Sequence, residues 1–337
     1  MSQKLEASQS RFMLPADEVT PEHVWLNRRR FIQALGVAGL GLSPWLGGGR
    51  ALAGPGFTLE DTLKGLAPLK SRPDKRFGLD RPLTARRVAA SFNNFYEFTP
   101  TKNVWPKVER FQTKPWRLEI SGLVKNPVTY DVKDLIAGQK LEERLYRFRC
   151  VEAWAMAVPW IGFPLHRLLK QALPLPQARY VRFRSFLKRD QAPVQNDGST
   201  YNLWPYFEGL TLPEAMNELA LVTVGIYSHE LPKQHGAPIR VVLPWKYGFK
   251  GPKSITRIEL VAEQPRTFWN TLGPDEYDFW SNVNPDKPHP RWSQKYERML
   301  GTGDSRPTQL YNGYGSYVAH LYAGMQESDP RFGFGKG

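Results

Sequence analysis

Three features of the sequence predict an α+β fold. Short segments alternate apolar and polar residues as strands do, other short segments carry apolar residues at helical spacing, and no regular βαβ rhythm joins the two kinds. The chain has 337 residues, 41% apolar and 13% aromatic, enough to bury a large core and too apolar for disorder over most of its length.

The first 53 residues read as an export signal. Asn27-Arg28-Arg29-Arg30-Phe31-Ile32 precedes a moderately apolar run from Ala34 to Leu46, and Arg50-Ala51-Leu52-Ala53-Gly54 follows it. Basic region, apolar region and small-residue cleavage site come in the order of a removable signal. The run is shorter than the ~20 residues of a membrane span, and Gly36, Gly39, Gly41 and Pro44 dilute it. Paired arginines followed by Phe31 match the twin-arginine address, read by the twin-arginine translocase. Cleavage is expected after Ala53, delivering a folded protein to the periplasm. Export in the folded state points to a cofactor inserted beforehand.

Residues 54–90 mix Pro, Gly, Lys and Arg with little periodicity and read as an extended lead-in. Residues 91–337 read as one catalytic domain. Trp116 to Ile120 alternates as a strand, Ser121-Gly122 breaks or bulges it, and Lys125-Asn126-Pro127 turns the chain into a second strand, Val128 to Val132. A helical turn is expected at Lys133 to Ile136. Arg144 to Cys150 alternates as a strand, and after a turn at Gly162-Phe163-Pro164 the segment Leu165 to Leu173 has helical spacing. Further strands are expected at Tyr180 to Phe183, Leu219 to Ile226, Ile239 to Leu243 and Ser254 to Val261, with a helix near Pro213 to Met216. From Gln264 the text is dense in Trp, Tyr, Pro and Asn, a tail ordered by aromatic packing that covers one face of the domain.

The formal charge is +14, and residues 1–53 carry six basic and four acidic side chains, which leaves about +12 on the mature protein. Anionic lipid, an anionic cofactor or an anionic partner would each suit such a surface. No nucleic-acid partner is expected, because zinc-finger, helix-turn-helix and RNA-binding signatures are missing. A single cysteine excludes an internal disulfide. In an oxidising compartment a lone thiol is either buried and inert or committed to chemistry.

Three constellations carry chemistry. Cys150 lies where a strand gives way to a loop, in Arg147-Phe148-Arg149-Cys150-Val151-Glu152-Ala153-Trp154, and the flanking arginines are expected to favour a thiolate, a suitable metal ligand. Gln234 to Arg240, with Pro244 to Ser254, gathers three lysines, an arginine and three glycines near strand ends. Such a turn either clasps a phosphate or is a plain basic turn, and it lacks P-loop spacing. Asn93-Asn94-Phe95-Tyr96-Glu97-Phe98 offers amides to the edge of a heterocycle and aromatics to its face, or simply packs in the core. The six histidines form no His-x-His pair and no His-Glu-x-x-His, so most ligands of any metal must come from an organic cofactor.

Together these words, with Val158-Pro159-Trp160-Ile161-Gly162-Phe163-Pro164-Leu165, resemble the sulfite-oxidase-fold molybdoenzymes, most closely their periplasmic branch that reduces methionine sulfoxide in proteins. The resemblance implies a molybdenum–molybdopterin cofactor, one per chain, with Cys150 as the protein's ligand to the metal. It implies pterin contacts from Asn93, Tyr96 and Glu97, and phosphate contacts from Arg240 and from Gly251, Pro252 and Lys253. Ser185 stands at a matched position where threonine is usual and His235 where asparagine is usual. Implied, too, are oxygen-atom transfer from the sulfoxide and electrons from a membrane-embedded haem-binding partner. Glu152, two residues past Cys150, is the expected proton donor.

One alternative keeps the fold and acts on sulfite or on small S- or N-oxides. Two others are a metal-free cysteine nucleophile paired with a histidine, and a non-catalytic module for an anionic ligand.

Overall fold

The computed structural model describes residues 56–324 apart from residue 199, and the expected export signal and its expected cleavage site lie outside the described residues. Its architecture is α+β, with two sheets wrapped around one continuous hydrophobic core. No helix among the described residues is long and apolar enough to cross a membrane.

The larger sheet has eight strands. Its centre is β4 (Glu142–Arg149) against β5 (Trp154–Pro164), an antiparallel hairpin running in register from Glu142↔Gly162 to Arg149↔Ala155. β1 (Arg72–Pro73) lies parallel to β4 on one side. Beyond β5, antiparallel β8 (Leu221–Ile226) takes its C-terminal half and parallel β12 (Tyr296–Met299) takes its start. β9 (His229–Glu230) and β10 (Arg240–Val242) pair with β8, and β13 (Ser305–Pro307) closes the other edge on β12. The smaller sheet has the order β3 (Val128–Asp131), β2 (Arg117–Gly122), β11 (Ile255–Val261), β6 (Tyr180–Ser185), β7 (Phe207–Thr211).

Helices are short and tied at their ends. In α1 (Leu59–Leu63) Thr58 and Asp61 form a capping box, and in α3 (Val132–Ala137) Asp131 caps Lys133. The remaining helices are α2 (Arg86–Ser91), α4 (Leu165–Ala172), α5 (Leu212–Met216), α6 (Phe268–Leu272) and α7 (Gly315–Val318). Leu165, Leu168, Leu169 and Ala172 give α4 its buried face.

Several expectations are corrected. Gly162-Phe163-Pro164 is the end of β5 and not a turn. All eleven residues of β5 are buried, so the strand reads as an unbroken apolar run without alternation. Gly162 is required there by close approach, since a Cβ would sit 1.9 Å from the carbonyl oxygen of Val222. Strand β7 is an addition, and the tail, far from being only aromatic packing, supplies α6, β12 and β13. The lead-in likewise contains α1, β1 and most of α2.

Candidate active site

The β4–β5 hairpin builds the floor of a cavity of about 880 Å³, counting its open mouth. Cys150 opens the hairpin loop: its N–H bonds the carbonyl of Trp154 at 2.9 Å, and the N–H of Ala153 bonds back to its own carbonyl. Strand alternation puts Phe148 and Cys150 on the cavity side. Arg147 and Arg149 point the other way. Arg147 binds Asp80, Gln309 and the carbonyl of Asn312, while Arg149 is buried against Gln294, Thr308, Glu297 and the carbonyl of Cys150.

The expectation that these cations make Cys150 a thiolate is therefore corrected. Burial pushes the thiol up to about 12, the nearby Glu152 carboxylate adds to that, and Lys102 and Arg149 only partly offset it. A metal ion would have to displace the proton. The sulfur is nonetheless surrounded by donors, Asn94 Nδ2 at 3.3 Å and the N–H of Glu152 at 3.5 Å.

Glu152 lies in the same wall, its Oε2 3.6 Å from the sulfur. Burial opposes its charge, but Lys102 Nζ at 2.6 Å, Asn94 Nδ2 at 3.0 Å and Trp154 Nε1 at 3.3 Å outweigh it and hold the carboxyl below its ordinary range. It rests as a carboxylate. Asn94 and Lys102 are thus site residues that the sequence reading did not select. Lys102 carries no local signal, and Asn94 was visible only as the second half of the paired asparagines.

A second part of the lining is basic and largely buried. Arg240 is 2% exposed and gives one N–H to the carbonyl of His235, while its Nε and Nη2 have no partner. Burial brings its guanidinium down to about 9. Lys253 is lowered by burial and by Arg240, and Glu97 is raised by burial. His235 is buried beside both cations and is pushed down to about 3, first by burial and then by their charge. It is neutral, and its Nδ1 faces Asn93 Nδ2 at 3.4 Å. With Asn93 also donating to the carbonyl of Ala89, its Oδ1 is left buried and unpaired.

Aromatic side chains line the cavity further out. Tyr96 and the buried Trp269 and Tyr277 face it, and half-buried Trp292 with exposed Arg291 forms its outer edge. Trp292 donates to the carbonyl of Val151 at 2.8 Å, stacks on His289 with ring centroids 3.9 Å apart, and lies 4.9 Å from the Arg291 guanidinium.

The family model for the oxidoreductase molybdopterin binding domain matches residues 105–269. Two curated relatives, the protein-methionine-sulfoxide reductase catalytic subunits MsrP of Burkholderia mallei and Gluconobacter oxydans, are 43% and 46% identical to this chain. The alignments cover 93% and 91% of it and 94% of each relative. The chain belongs to the MsrP family. The sulfane dehydrogenase SoxCD of Paracoccus pantotrophus is a solved structure similar to it at 14% identity, over 80% of this chain and 64% of that one, with a TM-score of 0.44. The fold is that of the molybdopterin-binding oxidoreductases.

The residues of this MsrP-family chain fit such a group. The cavity joins the only cysteine to a buried guanidinium with two bare donors and to an unpaired amide oxygen, groups whose burial is costly until something binds them. Asn93, Tyr96, Glu97, Cys150, Glu152, His235, Arg240 and Lys253 all line it. Ser185, Gly251 and Pro252 do not. Ser185 Oγ donates to the carbonyl of Lys253 at 2.7 Å, and so positions that lysine. Gly251 packs under β10, where a Cβ would lie 2.4 Å from the carbonyl of Val241, and Pro252 accepts the Val241 N–H at 3.0 Å. These two set the path of the loop that presents Lys253.

Proposed function

We propose that this chain is a periplasmic, molybdenum-dependent reductase that repairs methionine sulfoxide in proteins by oxygen-atom transfer. The observation that carries the reading is the single thiol, Cys150, in a cavity also lined by Arg240, whose Nε and Nη2 have no partner. Its relatives are named as catalytic subunits of that reductase.

One molybdenum–molybdopterin per chain supplies, when bound, a two-electron centre able to take oxygen from a sulfoxide and leave a thioether. The protein does the rest. Cys150 provides the thiolate ligand, and the donors Asn94 Nδ2 and Glu152 N–H stabilise its charge once the proton has gone. Arg240 and Lys253 meet the cofactor's phosphate, and Asn93, Tyr96, Glu97 and neutral His235 meet its pterin. Ser185, Gly251 and Pro252 act by holding Lys253 in place. Glu152 handles protons, but as a resting carboxylate it first takes a proton before passing one on, with Lys102 beside it as the adjacent acid. The aromatic lining suits a thioether side chain better than it suits a small anion such as sulfite.

The reading includes the twin-arginine translocase for export, with cleavage after Ala53, and an MsrQ-like haem-binding membrane partner as electron donor.

Metal analysis by plasma mass spectrometry tests it on protein from a molybdenum-replete host, with turnover of a methionine sulfoxide by reduced viologen dye. About one molybdenum per chain and activity are expected, with both lost in Cys150→Ser. Metal-free wild-type protein from a competent host would overturn the reading. Glu152→Gln is expected to keep the metal and to lose turnover and its pH dependence.

A further inference from the structure

The rim of the cavity continues into an exposed strip. From Arg291 and Trp292 at the outer edge of the cavity the chain runs through Ser293 and Lys295 into β12, whose Arg298 lies in register beside Trp154 of the cavity wall. Alternation along β12 turns Glu297 and Met299 inward and leaves Tyr296 and Arg298 on the surface. The inward side is rigid: Glu297 is buried between Arg81 and Arg149, and the Tyr296 carbonyl accepts from Arg149 at 3.3 Å.

The outward side is unlike an ordinary solvated face. Tyr296 is 61% exposed, the highest value among the large exposed hydrophobic side chains described. Lys295 and Arg298 are exposed and make no ion pair among the described residues, and neither does Asp304 on the following turn. At the mouth itself, Arg291 is held flat by Trp292 and by Glu276 at 2.8 Å. An aromatic side chain between unpaired cations, on a rigid strand that leads from the mouth, is built to meet an anionic, partly apolar partner.

Resting on the reductase reading above, we infer that this strip is where the oxidised protein docks, an acidic extended segment lying along Lys295, Tyr296 and Arg298 while its sulfoxide side chain enters the cavity. A small sulfoxide reaches the cavity without touching the strip, so the two substrate classes separate docking from chemistry.

The test compares wild type with Tyr296→Ser/Arg298→Glu, molybdenum-loaded and driven by reduced viologen. The substrates are an acid-rich unfolded polypeptide carrying methionine sulfoxide and a small alkyl sulfoxide. For the polypeptide, KM is expected to rise about tenfold with kcat nearly unchanged, as loss of one good interfacial anchor gives. For the small sulfoxide, both constants should stay within about twofold of wild type. Raising salt should weaken the wild type on the polypeptide and the variant much less. An unchanged polypeptide KM overturns the inference, and so does a parallel loss on both substrates. If the variant fails only when a membrane donor replaces viologen, the strip serves electron delivery and the inference is wrong. A wild type idle on both substrates overturns the reductase reading, and this inference with it.

Discussion

Four cations, three buried and Lys253 half-buried, sit within one stretch of chain, and they divide into two pairs with different surroundings. Lys246 and Lys250 each meet a buried glutamate: Lys246 pairs with Glu214 at 2.5 Å and Lys250 with Glu208 at 2.7 Å. Glu214 is at once the capping-box acid of α5, taking the Thr211 N–H, and an acceptor for Tyr322. Glu208 also accepts the N–H of Gly209. Arg240 and Lys253 line the cavity instead, and the guanidinium keeps two donors bare. Cations close together in sequence therefore do different things. The first pair completes the fold, and the second, on the function proposed above, meets an anion from outside the chain.

The largest effect expected from this contrast is on stability. Lys246→Met should cost about 3–5 kcal/mol in urea unfolding of cofactor-free protein, because it strands the Glu214 carboxylate in the core. Arg240→Met, by contrast, removes a buried charge that has no acid partner, and the cofactor-free protein should be no less stable than wild type. Equal losses in the two variants would erase the distinction. Loaded with cofactor, the order reverses: Arg240→Met should retain it at least about tenfold less well through dialysis, since a charge-assisted phosphate contact is lost.

This contrast also marks the limit of what the sequence makes legible. The basic turn at residues 244–254 and the word around Cys150 are local, and each led to the cavity. Which lysine serves the cofactor is not local. The partners that withdraw Lys246 and Lys250 come from α5 and β7, and β7 itself went unseen because Gly209 interrupts its pattern. The thiolate expectation failed for a related reason: burial, which local sequence does not show, raises the thiol, and strand alternation turns Arg147 and Arg149 away from the sulfur so that Arg149 offsets it only partly. The mouth was legible only as a composition. That Trp292 anchors to Val151 is a contact across the fold, joining the tail to the loop that carries Cys150.

A smaller effect is expected from pH. Buried His235 titrates near 3 in the folded protein and near its ordinary 6.5 when unfolded. Between those values the unfolded chain binds the proton and the folded chain refuses it, so stability falls as pH drops below about 6.5. For cofactor-free wild type this one group should remove about 2 kcal/mol between pH 7 and pH 5. His235→Asn keeps an acceptor for Asn93 and should lose less over that interval, measured by urea midpoints at the two pH values. Equal acid sensitivity in both proteins would mean that the imidazole is not held neutral by its burial beside Arg240 and Lys253.

The smallest effect belongs to a pair at the surface. Arg182 and Glu259 face each other across β6 and β11 at 2.7 Å, both partly exposed. Their geometry rivals that of the buried pairs, but water reaches both groups, and neither is stranded when the other is removed. Arg182→Met should therefore cost no more than about 1 kcal/mol, and less in high salt. A loss as large as that of Lys246→Met would show that geometry alone, and not the isolation of a buried partner, sets the worth of an ion pair in this fold.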